Sequence, residues 1–139
     1  MTIKEVSIDQ ILPIRQQVMW PDKPIDFVRV PEDENGIHFG LFVEENLVSV
    51  VSVFIHGQEA QFRKFATLEQ FQGKGNGSKL LQYIFDFLEA KNTKRIWCNA
   101  RISKAGFYQK FGMTTTDATF EKEGMEYVVM EKISERQYF

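Results

Sequence analysis

Between residues 76 and 90, Leu80, Leu81, Ile84, Phe85 and Leu88 recur at the spacing of one helix face, and the chain predicts a helix there. A second run, Ile8, Ile11, Leu12, Arg15 and Val18, predicts a helix over residues 7–20, capped by Ser7 and interrupted or kinked near Pro13. Between them the pattern is that of strands. "IHFGLFV" and "LVSVVSVFI" flank the polar "EEN" and read as a hairpin, apolar on both faces and so covered on both sides. In the next strand, "EAQFRKFAT", the apolar register passes from Ala60 and Phe62 to Phe65; since strands have period two, one residue must be absorbed, which predicts a β-bulge near Arg63-Lys64.

After the long helix, "KRIWCNA" reads as a strand, giving a βαβ unit with a parallel pair and a right-handed crossover. "SKAGFYQKFG" reads as a short helix stopped at Gly112, and two last strands, about 113–120 and 125–132, turn at "EKEG". Residues 21–36, with three prolines and an acidic end, read as a loop with a short turn and a corner at Asn35-Gly36.

Composition narrows the function more than the fold. At 139 residues the chain suits one α/β domain, residues 1–139. A net charge of −2, with both signs scattered, leaves no basic stripe for nucleic acid. The single Cys98 excludes an internal disulfide and a cysteine-rich metal site, so no metal is expected. The charged start of the chain does not read as a signal peptide, and no apolar run approaches a membrane span, so a soluble cytoplasmic protein is expected.

The candidate chemistry centres on "FQGKGNGSKLL", residues 71–81, where glycines at 73, 75 and 77 precede the long helix. Amides at a helix start have no intrahelical partners and sit at the positive end of the helix dipole. Glycines there let an anion approach the amides from Gly73 to Ser78, and Lys74 and Lys79 add cationic reach, so a pyrophosphate fits. Two known phosphate loops do not match. After Gly77 the order is Ser78-Lys79 rather than Lys-Ser, against the P-loop, and the dinucleotide fingerprint would need its third glycine at Ser78. A third pattern, Gln or Arg, two residues, Gly, one residue, Gly or Ala, is met by Gln72, Gly75 and Gly77.

With that loop, a bulged strand before it and "KAGFYQKFGM" after it, the chain resembles the GNAT superfamily of N-acetyltransferases over about residues 37–132, and among them small bacterial members of the ElaA type. The resemblance implies a mixed sheet of about six to seven strands with a bulged fourth strand, flanked by about four helices. It also implies acetyl-CoA as cosubstrate. Its pyrophosphate would lie on Gln72, Gly73, Lys74, Gly75, Asn76, Gly77, Ser78 and Lys79, and its pantetheine arm along Phe65, Ala66 and Thr67. By the same resemblance Tyr108 is the acid that protonates the departing thiolate, and a bulge amide, Phe65 or a neighbour, is the oxyanion donor.

Other candidates are less determined. His38 lies at the strand level where acceptors sit in the family and is a candidate substrate contact, with a structural histidine as the alternative. Glu59 and Glu69 read as solvated, and a water chain is the other route for the base. Cys98, within a strand pattern and without a local histidine, reads as a small buried hydrophobe. Asn99 either bonds the pantetheine arm or caps the next helix, with Ser103 as competitor, and Arg101 replaces an asparagine common in the family. The expected function is transfer of the acetyl group to a primary amine of a small molecule or peptide, by direct attack in a ternary complex. A non-catalytic acyl-CoA-binding or sensing module is the alternative. The acceptor is not specified, and a homodimer through a late strand stays open.

Overall fold

The computed structural model describes residues 1–134. Its strands are β1 (Thr2–Val6), β2 (Ile37–Val43), β3 (Asn46–His56), β4 (Glu59–Thr67), β5 (Arg95–Arg101), β6 (Thr114–Lys122) and β7 (Met125–Ile133); its α-helices are α1 (Ile8–Met19), α2 (Asn76–Ala90) and α3 (Ala105–Gln109). The seven strands form a mixed sheet in the order β1-β2-β3-β4-β5-β7-β6, with β4 and β5 parallel. About four helices were expected, and three α-helices are found among the described residues. Residues 21–36, read as a loop with a short turn, carry two 3₁₀ turns, Ile25–Val28 and Pro31–Asn35, among prolines at 21, 24 and 31.

The chain divides into two compact units, the first made of Met1–Phe54 and Phe62–Asp86. There α1 opens with a capping box: the Gln10 amide donates to Ser7 Oγ at 3.2 Å, and the Ser7 amide to Gln10 Oε1 at 2.9 Å. The expected interruption at Pro13 does not occur, and α1 runs through it. The donor that proline lacks would have served the carbonyl of Asp9, an exposed residue of the first turn whose carbonyl water can satisfy. β1, not foreseen, pairs antiparallel with β2 from Thr2↔Phe42 to Val6↔His38. β3 is buried on both faces from Val48 to Phe54, as its unbroken apolar run predicts. Gly36 turns the corner into β2 for want of space, since a Cβ there would lie 2.7 Å from the Phe54 ring.

The bulge in β4 lies where the register change placed it. Lys64 takes a left-handed φ of 56° in mid-strand. Phe62 packs edge-on against Phe85 of α2, with ring centres 6.0 Å apart, while Phe65 reaches Gly77 at the start of the same helix. Two residues three apart can face one helix only if the strand absorbs one residue between them.

The second unit comprises Ile55–Gln61 and the chain from Phe87. The first residues of β4 pair with β5 at Glu59↔Arg95, Ala60↔Ile96 and Gln61↔Trp97. Alternate residues Ile96, Cys98 and Ala100 are buried, and Arg95 joins neighbouring strands through Glu59 at 2.9 Å and Glu131 at 2.7 Å. α3 is stopped at Gly112, whose φ of 90° is left-handed and whose amide bonds the Gln109 carbonyl at 3.0 Å.

Candidate active site

The loop between β4 and α2 is tied at both ends by its own side chains. Gln72 Nε2 donates to the Thr67 carbonyl at 2.8 Å, and Asn76 Nδ2 donates to the Phe71 carbonyl at 3.1 Å. Gln72 and Asn76 therefore shape the loop. Gly75 is the residue whose carbonyl receives the first helical bond, from the Lys79 amide at 3.0 Å. The amides of Asn76, Gly77 and Ser78 are thus the first turn of α2, and that turn carries no acidic side chain to compete for an anion. Lys74 is exposed, with Nζ 5.7 Å from the Phe71 ring centre, and Lys79 is exposed on the second turn.

The three glycines differ in what they do. Gly73 and Gly75 have φ of 73° and 82°, and a Cβ on either would touch nothing within 4 Å, so conformation calls for glycine there. At Gly77 the constraint is space: a Cβ would stand 3.0 Å from Phe65 Cζ and 3.4 Å from Thr67 Oγ1. Gly77 is what lets the start of α2 lie against the bulged strand. On that strand the Ala66 carbonyl accepts from Ser49 Oγ at 3.3 Å, and Ser49 also bonds Thr67 Oγ1 at 2.8 Å. The carbonyls of Ala66 and Thr67 are held in place, each with a second lone pair.

In the second unit, Tyr108 sits half-buried on α3, and Phe107 beside it meets both Tyr108 and Phe111 edge-on. Burial pushes the Tyr108 phenol above its usual range; the neighbouring Cys98 adds to the shift and Arg101 opposes it. A phenol so placed holds its proton at neutral pH and can give it to a stronger base. Cys98, 3% exposed on β5, is pushed up to about 12 by burial and stays a thiol, not a nucleophile. Asn99 is exposed on β5 and pairs with Val129 in the ladder. The helical turns that follow are capped at Arg101 and Lys104 without a side-chain bond, so neither Asn99 nor Ser103 is a helix cap.

The family model described as "Acetyltransferase (GNAT) domain" matches residues 26–134. The chain belongs to the GNAT acetyltransferase family. It is 29% identical over 140 residues to the uncharacterized N-acetyltransferase YitI of Bacillus subtilis, covering 94% of each chain. Among solved structures, the ribosomal-protein-S18-alanine N-acetyltransferase of Escherichia coli superposes with a TM-score of 0.81 at 18% identity, covering 99% of both chains. Escherichia coli ElaA gives 0.78 at 16%, covering 94% of this chain and 98% of that one. A GNAT acetyltransferase of Elizabethkingia anophelis with acetyl-CoA bound gives 0.75 at 16%, covering 96% and 97%.

Within this GNAT chain one expected contact is corrected. His38 is 4% exposed, and both ring nitrogens are engaged internally: Nδ1 with Ser52 Oγ at 2.7 Å and Nε2 with the Asp33 carbonyl at 3.0 Å. It belongs to a buried polar cluster and not to a substrate surface. Arg15 anchors that cluster, donating to both Asp33 carboxylate oxygens at 2.8 and 2.9 Å, to Ser52 Oγ at 2.8 Å and to the Val28 carbonyl at 3.0 Å. The cluster was missed as a unit. Its one signal was Arg15, a charge on the apolar stripe of α1. Glu59, for its part, is an ion-pair partner of Arg95. Among the described residues no group of three His, Cys, Asp or Glu side chains is placed to hold a metal ion, and no helix is long and apolar enough to cross a membrane.

Proposed function

We propose that this GNAT protein is an acetyl-CoA-dependent N-acetyltransferase acting on a primary amine of a small molecule or peptide, by direct attack in a ternary complex. The observation that carries the reading is the seating of the glycine loop: Gly77 brings the amide end of α2 against the bulge at Phe65, so an anion cradle and a kinked strand lie side by side. Acetyl-CoA supplies the acyl group activated as a thioester. In this reading the amides from Gly73 to Ser78 bind the pyrophosphate, with Lys74 and Lys79 as cationic flanks. Phe65, Ala66 and Thr67 orient the pantetheine arm, and Asn99 adds a side-chain contact to it. A bulge amide at or beside Phe65 donates to the carbonyl oxygen as negative charge builds there. Tyr108 gives its proton to the sulfur as the carbon–sulfur bond breaks, and the nitrogen loses its proton to water.

Calorimetry with acetyl-CoA and thiol release across a panel of amines test this. Gly75→Glu is expected to abolish binding, because the glycine's left-handed backbone and the added carboxylate both oppose it. Tyr108→Phe is expected to bind normally and to turn over about 10²-fold more slowly or worse, the usual worth of a positioned acid. Failure of the wild-type protein to bind acetyl-CoA would sink the proposal. Tight binding with no amine-stimulated thiol release would make it a binding module.

A further inference from the structure

The turn Pro31–Asn35 lies against the bulge: Glu32 Oε2 is 3.3 Å from Nη1 of Arg63, the bulge residue next to left-handed Lys64. Beneath the turn sits the buried cluster. Arg15, Asp33, His38 and Ser52 are each no more than 4% exposed. Their bonds run in one direction, since the Asp33 carbonyl can only accept. Nε2 of His38 must donate to it, Arg15 donates to Ser52 Oγ, and the Ser52 hydroxyl is left to donate to His38 Nδ1. The Asp33 carboxylate accepts from Arg15 through both oxygens and, through Oδ2, also from the Val30 amide at 3.0 Å. Arg15 reaches the Val28 carbonyl and Asp33, His38 reaches the Asp33 carbonyl, and Ser52 bonds both Arg15 and His38 from beneath.

We propose that this cluster positions the acceptor side of the site, with Arg15, Asp33, Ser52 and His38 as positioning residues that hold residues 28–36 in register with the bulge. The inference rests on the acetyltransferase reading for its kinetic consequence but not for its structural one. A segment of 3₁₀ turns with exposed Pro31, Glu32, Glu34 and Asn35 has little apolar burial of its own. Its order comes from below, through polar bonds whose donors and acceptors are all specified. Loosening them leaves the glycine loop, which is built from β3, β4 and α2, as it was. The expected signature is selective: poorer use of the amine with unchanged binding of coenzyme A.

The mild variants His38→Gln, His38→Ala and Ser52→Ala are used, because removing Arg15 or Asp33 strands a buried charge and threatens folding. Gln can place its amide N–H where Nε2 of His38 donates, whereas Ala cannot. Two measurements are made on each variant: hydrogen exchange of residues 28–36, and kcat and KM for an amine from the panel together with the Kd for coenzyme A. His38→Ala and Ser52→Ala are expected to speed exchange of the segment about tenfold and to raise the amine KM at least fivefold. Their kcat and coenzyme A Kd are expected to stay within about twofold. His38→Gln is expected to recover most of both effects relative to His38→Ala. Unchanged exchange in Ser52→Ala, or a His38→Ala defect that His38→Gln does not rescue, would overturn the proposal. Should the wild-type protein bind no coenzyme A, the acetyltransferase reading fails while the exchange measurement still decides this one.

Discussion

At Asp33, burial opposes the charge and is outweighed by Arg15, by the Val30 amide and by the nearby positive charge, so its carboxyl titrates below the usual carboxylate range. A carboxylate depressed in the folded state stabilises the fold above its unfolded pKa of about 4. That contribution is lost as pH falls through the lower folded value. Urea midpoints between pH 7 and pH 2.5 should therefore fall steeply on the acid side for the wild type and less steeply for Asp33→Asn; parallel acid limbs would show that this carboxylate is not responsible. Asp33→Ala should cost about 3–5 kcal/mol at pH 7, since it leaves Arg15 buried and uncompensated. Arg15 could be noticed in the sequence because a helix stripe gives it an address. Asp33 could not, since it lies 18 residues away within an acidic run that reads as a solvated surface.

The elements that were legible are those whose information is local. The periodicity of residues 76–90, the register break in "EAQFRKFAT" and the spacing from Gln72 to Gly77 each lie within one window, and the structure returns α2 at Asn76–Ala90 and a left-handed residue at Lys64. β1 was not legible, because Val6 is its only buried residue and its place is set by backbone bonds to β2. The glycines were legible as a motif but not in their separate jobs, which only the packing of α2 on β4 separates. Gly77→Ala should be tolerated by the helix itself, where alanine is a better residue by about 1 kcal/mol. It should nonetheless weaken coenzyme A binding about tenfold, by pushing the first turn of α2 off the Phe65 ring. Adding Phe65→Leu removes the atom in the way and should restore most of the affinity in calorimetry. An unaltered affinity in Gly77→Ala alone would mean that the close approach at Phe65 is irrelevant to the ligand.

For the molecule as a whole, net charge and composition excluded partners without naming one, and the site became readable through a loop whose proposed ligand is held by backbone amides. That loop is also thinly anchored: Gln72, Gly73, Lys74 and Gly75 are all exposed, and two side-chain amides add to the backbone bonds of the short turn before it. A ligand that binds only the folded loop must then stabilise the whole protein by mass action, by about 2.7 kcal/mol at a hundred times its Kd. For a chain of this length that raises Tm by roughly 10 °C. Tyr108→Phe should keep the full shift, because in the proposed reaction the phenol acts on the departing sulfur and not on the pyrophosphate. Gly75→Glu should lose it. A thermal scan with coenzyme A, and with ATP at the same concentration, separates recognition of the pantetheine arm from simple anion binding. A shift from ATP equal to that from coenzyme A at equal concentration would show that the loop binds phosphate without the bulged strand taking part.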